Sequence, residues 1–184
     1  MASMLECATL LLRPWLPDAD GLGWRCWIVD PVSAALLGAA VRRRPRWLGW
    51  LCRPRIAVHE SDDEPLLLTL RQGLGPWPAW IVRDAEGQLV GRVRGRRLRD
   101  AQGNPLAVLV PPDGDGVAVY RAAQADLAVV EREAEAVRLT FRTGETGNPF
   151  VKMVLLAAAL VHNEDVLGRE ERSLSASGSP LAAR

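Results

Sequence analysis

Lysine is almost absent from this chain. Of its 23 basic residues only Lys152 is a lysine, and the rest are arginine. Arginine in such excess suits forked contacts to phosphate, although a coding bias toward arginine would leave the same mark. Cysteine is scarce as well. Cys7, Cys26 and Cys52 are an odd, scattered set of three with no CxxC pair, which excludes a disulfide framework and suits a reducing compartment. Cys26 sits within an apolar strand and reads as a packing residue. The two histidines, His59 and His162, lie too far apart in sequence to read as a zinc site. The acids of HESDDE (59–64) are explained by a turn, and DGDG (113–116) is too short for a calcium loop. No serine lies in GxSxG, no GKS or GKT follows the glycines, and no cysteine has an evident histidine base. No catalytic site, metal or cofactor is therefore expected, and the chain does not read as an enzyme. The formal net charge is only +1, so the overall balance does not call for nucleic acid.

A membrane-spanning run is also missing. The most apolar stretch, NPFVKMVLLAAALVHNED (148–165), carries one charge, Lys152, between Phe150 and His162. Asn148 is a good N-cap and Pro149 fits the first helical position, where its missing N–H costs nothing. A helix over about 149–162 is roughly 21 Å long at about 1.5 Å per residue, whereas a bilayer core needs about 30 Å. A rod that is apolar on every face and too short to span must be covered by protein. Lys152, in its first turn, is expected to reach solvent at the rim. The N-terminal MASMLECATLLLRPW has no basic lead and is broken by Arg13 and Pro14, so no signal peptide is read there.

What precedes the rod alternates with a period of two. Ile56 and Val58 share one face of a segment whose other face holds Arg55, Ala57 and His59. Leu66, Leu68 and Leu70 alternate with Leu67, Thr69 and Arg71, and Val137, Leu139 and Phe141 with Arg138, Thr140 and Arg142. That is the pattern of antiparallel strands with one buried side. Turn signals at DPVSA, SDDEP, GLGPWP, DAEGQ, DAQGN and PDGDG separate about twelve such strands. They are expected near 9–13, 25–30, 36–42, 55–60, 66–71, 79–84, 88–94, 96–100, 105–110, 116–121, 126–132 and 137–142. EREAEAVRL (131–139) also admits a helical turn. Trp27-Ile-Val-Asp30 with Leu37-Gly38 is echoed by Trp80-Ile-Val-Arg-Asp84 with Val90-Gly91, which suggests either related hairpins or chance similarity between hairpins.

The expected fold is mainly β: a closed antiparallel barrel of about twelve strands enclosing the hydrophobic C-terminal helix. Closure removes free edges, and a barrel this wide has an interior that facing side chains alone do not fill. The domain is expected over 9–164, with the polar tail 168–184 disordered.

IVRDAEGQLVGRV (81–93), its partial repeat RLRDAQGNPLAVL (97–109), and NPFVKMVLLAAALV (148–161) carry a family resemblance. On them the chain resembles the tubby-like, phospholipid scramblase-like and LURP-one-related β-barrel superfamily, and is most similar to its bacterial scramblase-like members. The resemblance implies a barrel around a central helix and a role at lipid headgroups. The chain departs from the scramblase pattern before the last helix, where FRTGETGNPF (141–150) offers only Glu145 in place of an acidic calcium-binding segment. Calcium control is not expected.

Two basic clusters are candidate headgroup contacts. One runs from Arg42, Arg43, Arg44 and Arg46 through Trp47 and Trp50 to Arg53 and Arg55. Its tryptophans suit the membrane interface and its guanidiniums suit phosphate, or it is a solvated loop with its rings packed over the barrel end. The other holds Arg92 and Arg94, which project from one face of a strand next to Arg96, Arg97 and Arg99. A charged outer strand face is its ordinary explanation. The leading expectation is a non-enzymatic, cytoplasmic binding module, peripheral at the inner membrane face, that engages anionic phospholipid. The alternative is a barrel that presents its loops to a protein partner, and nucleic acid is disfavoured.

Overall fold

Alternation along the chain becomes a wall. The computed structural model describes residues 4–14, 23–43, 54–60, 65–73, 78–112, 116–123, 125–142 and 147–164. They form β1 (Thr9–Pro14), β2 (Gly23–Val29), β3 (Leu36–Arg43), β4 (Arg55–Glu60), β5 (Leu66–Gln72) and β6 (Trp80–Asp84). There follow β7 (Leu89–Arg94), β8 (Arg97–Asp100), β9 (Pro105–Val110), β10 (Val117–Arg121), β11 (Asp126–Arg132), β12 (Val137–Phe141) and the helix α1 (Pro149–His162). Each strand pairs antiparallel with the next in sequence, and β1 pairs with β12, with Leu10 opposite Leu139. The sheet is a closed twelve-strand barrel. All the expected strands are present, and the ambiguous 131–139 segment is the end of β11, a turn and the start of β12. The tail from 168 lies outside the described residues.

The inward positions are apolar and dry. Leu10, Leu12, Ile28, Ile56, Val58, Leu68, Leu70, Val82 and Leu139 all have 0% exposure. They surround α1, in which the eight consecutive residues Met153 to Leu160 are all buried. A helix buried over two full turns is covered on every face, as its uniform apolarity requires. Each large side chain such as Leu155, Leu156 or Leu160 contributes about 1.5–3 kcal/mol by leaving water. No helix among the described residues is long and apolar enough to cross a membrane.

Both ends of α1 are tied to the wall. At its start the Asn148 side chain accepts from the Phe150 N–H at 2.9 Å, and Pro149 occupies the first turn. Lys152 is half-buried at the rim, and its ammonium is held by the chain rather than left free in solvent. Its Nζ donates to the carbonyls of Leu5 (2.6 Å) and Cys7 (3.2 Å) and lies 5.1 Å from the Phe141 ring centre. Those carbonyls belong to the segment that delivers Met4, 1% exposed, into the core. At the other end Glu164 pairs with Arg42 and accepts from Trp24 Nε1 at 3.3 Å. Arg132 donates to Asn163 Oδ1 (2.8 Å) and to the His162 carbonyl (3.1 Å). Two cations at a helix C-terminus also complement its dipole.

The closest approach of helix to wall is at β7. A Cβ built on Gly91 would lie 2.6 Å from both the Arg99 carbonyl oxygen and Val154 Cγ2, so only glycine fits there. Gly38 is closed in the same way by the His59 carbonyl and the Met4 methyl. The two glycines occupy equivalent places, Gly38 opposite Ile28 and Gly91 opposite Val82, each facing a residue two before an aspartate, Asp30 or Asp84. The echo of Trp-Ile-Val is therefore out of register by one residue. Cys26 corresponds to Trp80, both buried, while Trp27 falls on the opposite face. A slip of one residue exchanges the faces of a strand.

Candidate functional site

Where alternation buries one side of a strand it exposes the other, and here the exposed side is chemically uniform. Every exposed strand residue of β4 to β8 is an arginine: Arg55, Arg71, Arg83, Arg92, Arg94, Arg97 and Arg99. The inward phase holds Ile56, Leu70, Val82, Val93 and Leu98.

Register aligns these arginines into a row. Arg43 lies opposite Arg55, Arg55 opposite Arg71, Arg71 opposite Ile81, Ile81 opposite Arg92, and Arg92 opposite Arg99. Arg94 lies opposite Arg97. At roughly 4.8 Å between strands, the row from β3 to β8 extends about 24 Å across the wall. Directly opposed like charges destabilise a sheet, and Arg55–Arg71, Arg92–Arg99 and Arg94–Arg97 are three such pairs.

Local structure aims two members of the set. The hairpin turns RDAEGQ (83–88) and RDAQGN (99–104) are built alike. Asp84 accepts from the Gln88 N–H at 2.7 Å, and Asp100 from the Asn104 N–H at 2.8 Å. Gly87 and Gly103 take the positive φ angles of 80° and 90° that close each turn, a conformation costly for other residues. Arg83 and Arg99 each donate to the carbonyl of that glycine at 2.5 Å. The side-chain bond from Asn104 holds the Asp100 carboxyl below its ordinary value. Both aspartates line a cleft of about 410 Å³ at the start of α1, together with Asn148 and Phe150. Each is bonded to its own turn.

On the far wall charge is mixed and paired. Arg121 meets Asp126 at 2.7 Å and Arg138 meets Glu133 at 2.7 Å. The bond from Arg121 lowers the Asp126 carboxyl, and the same contact raises the guanidinium. Among the described residues the exposed strand positions of that one side therefore carry positive charge without acidic partners, although the chain as a whole is nearly neutral.

The expected site residues separate into four groups. Arg55, Arg92 and Arg94 are exposed on the outer wall. Arg43 is placed by backbone register at one end of the row, its side chain not being described. Arg42 differs from the expectation: it shares the inward phase with Gly38 and Ala40, and pairs with Glu164 at the barrel end. The expected contacts Arg44, Arg46, Trp47, Trp50 and Arg53 lie outside the described residues. Arg71 and Arg83 were absent from the expected set. Their outward phase is legible in sequence, but their place in a row is not. Among the described residues no group of three or more His, Cys, Asp or Glu could hold a metal. Burial pushes the Cys26 thiol far up, away from a reactive thiolate.

The chain matches no protein-family model, no curated protein and no solved structure.

Proposed function

We propose that this protein is a non-enzymatic binding module whose β4–β8 wall docks on anionic phospholipid headgroups at a membrane surface. The observation that carries the reading is the row of unbalanced arginines. Among the described residues Arg55, Arg71, Arg92, Arg94 and Arg97 have no ion-pair partner. A folded chain that keeps opposed like charges on one face loses stability in isolation, and recovers it when phosphates lie against that face. Guanidinium forks match phosphate oxygens geometrically, and headgroups can reach arginines on several adjacent strands of the curved wall. The tubby-like and scramblase-like resemblance leads to the same ligand class, and a peripheral position at the inner membrane face follows from it.

Basic residues near an anionic membrane contribute about 1 kcal/mol each. Replacing Arg55, Arg71 and Arg92 by glutamine should therefore weaken binding by about 3 kcal/mol, on the order of 100-fold. Sedimentation with vesicles of phosphatidylcholine alone, or mixed with phosphatidylserine, measures this. The expected result is binding only to the mixed vesicles, falling with salt, and lost in the triple variant. The folded stability of that variant should be unchanged or slightly higher, because repulsion is relieved. Equal binding to both vesicle types, or no effect of the triple substitution, overturns the reading. Retention of a protein or nucleic acid by the same wall in vesicle-free lysate, without vesicle binding, would assign it to a macromolecular partner.

A further inference from the structure

The barrel is not completely filled where α1 ends. A cavity of about 290 Å³ lies between β9, β10, β11 and the last turn of the helix. Leu109, Pro111, Ala118 and Val130 form its apolar sides, and Arg96, Tyr120 and His162 stand at its polar end. Among the described residues no carboxylate lines it.

The polar groups differ in what they still have to offer. His162 Nε2 is 2.7 Å from the Gly95 carbonyl, which only accepts, so the ring proton sits on Nε2. Nδ1 then accepts from the Tyr120 hydroxyl at 3.0 Å, with the two rings stacked 5.9 Å apart. Both groups are satisfied within the protein, and the imidazole is neutral. Arg132 is engaged by Asn163 and the His162 carbonyl. Arg96 is different. It lies in the tight turn between β7 and β8, and its guanidinium has no hydrogen-bond or ion-pair partner among the described residues. Among the described residues the polar end therefore offers an uncommitted fork of donors and no carboxylate to answer it, at the mouth of an apolar slot.

The geometry points to a binding site for a medium-chain amphipathic carboxylate, its head on Arg96 and its tail between Leu109, Ala118 and Val130. A volume of about 290 Å³ holds about ten non-hydrogen atoms at roughly 30 Å³ each, which is the size of octanoate. A single guanidinium takes a carboxylate by two parallel bonds. The site is inside the barrel end, whereas the arginine row is on the outer wall, so neither reading depends on the other.

Calorimetric titration with octanoate, 1-octanol and octylammonium tests the site. Tyr120 is the only tyrosine, so a ¹³C-tyrosine label reports from the cavity. Octanoate should bind saturably and shift the Tyr120 resonance, with both other probes about tenfold weaker or more. Arg96→Gln should lower octanoate affinity by about tenfold while leaving 1-octanol unchanged, and Ala118→Phe should block both. Arg96 is an exposed turn residue, so its variant should keep the parent melting temperature. Equal affinity for the three probes, no effect of Arg96→Gln, or octanoate binding without a Tyr120 shift would each overturn the assignment.

Discussion

A methyl group added at Gly91 should be felt by Val154 and by almost nothing else on the helix. The Cβ of Gly91→Ala would lie 2.6 Å from Val154 Cγ2 and 2.6 Å from the Arg99 carbonyl oxygen. Ordinary contact is about 3.5–4.0 Å, so something must move by about 1 Å. Overpacking of this kind costs about 1–3 kcal/mol. Val154→Ala alone removes two methyl groups from a side chain that is 1% exposed. That costs about 1.6 kcal/mol in transfer free energy, plus a cavity term. Combined, the two changes are complementary: the new methyl enters the space the valine leaves, and only the contact with the Arg99 carbonyl remains. The double variant should therefore be more stable than the sum of the singles by about 1 kcal/mol or more. Alanine for glycine also restricts the unfolded chain, an effect of about 0.4–1 kcal/mol, but it enters both arms of the cycle and cancels. Urea unfolding of the four proteins measures the coupling. Additivity to within about 0.5 kcal/mol would mean that α1 does not pack against β7, and the plugged barrel would have to be abandoned.

Other perturbations probe the two ends of the plug. Lys152→Met removes the ammonium's bonds to the Leu5 and Cys7 carbonyls. It should cost about 1–3 kcal/mol and speed amide exchange near residues 4–8; unchanged exchange there would show that the ammonium does not hold the segment. Asn148→Ala removes the helix cap and should cost about 1 kcal/mol by chemical denaturation, a loss that Asn148→Asp or Asn148→Ser largely restores. Burial holds the His162 ring below its ordinary value of 6.5, opposed by the Gly95 carbonyl bond and assisted by the Arg96 charge. As pH falls through 6.5 the unfolded chain takes up the proton before the folded one, so this group makes stability decline until the folded value is passed. Above that window it contributes no pH dependence. The stability difference between the parent and His162→Gln, followed from about pH 8 to about pH 5, should shrink as pH falls; a constant difference would contradict a neutral buried ring.

Much of this site was one inference away from visible. Sequence alone groups Arg42 with Arg43 to Arg46 as a single basic cluster. Yet Gly38, Ala40 and Arg42 share a phase, and a strand reaching residue 43 must turn Arg42 inward where it turns Arg43 outward. Period-two parity carried through to the strand end would have separated them. The fate of Lys152 was not legible, because its acceptors are at residues 5 and 7, about 145 positions away. The Tyr120–His162 pair, 42 positions apart, is hidden for the same reason. The mistaken alignment of Trp27 with Trp80 shows a third limit: an identical tripeptide can sit one residue out of phase with the hairpin that carries it.

Local chemistry along the chain determined the elements. Alternation set twelve strands and their buried faces, Gly87 and Gly103 set two turns, and a fourteen-residue apolar rod too short for a bilayer required a protein shell. Only the tertiary structure decided which residues stand opposite one another. Register is the sum of turn geometry and bulges over the whole ring, and shifts at Ile28/Val29, Val58/His59, Val82/Arg83, Leu98/Arg99 and Tyr120/Arg121 each reset it. Seven scattered arginines become one charged wall through that sum, because a strand specifies the direction of its side chains and its neighbours specify the company they keep.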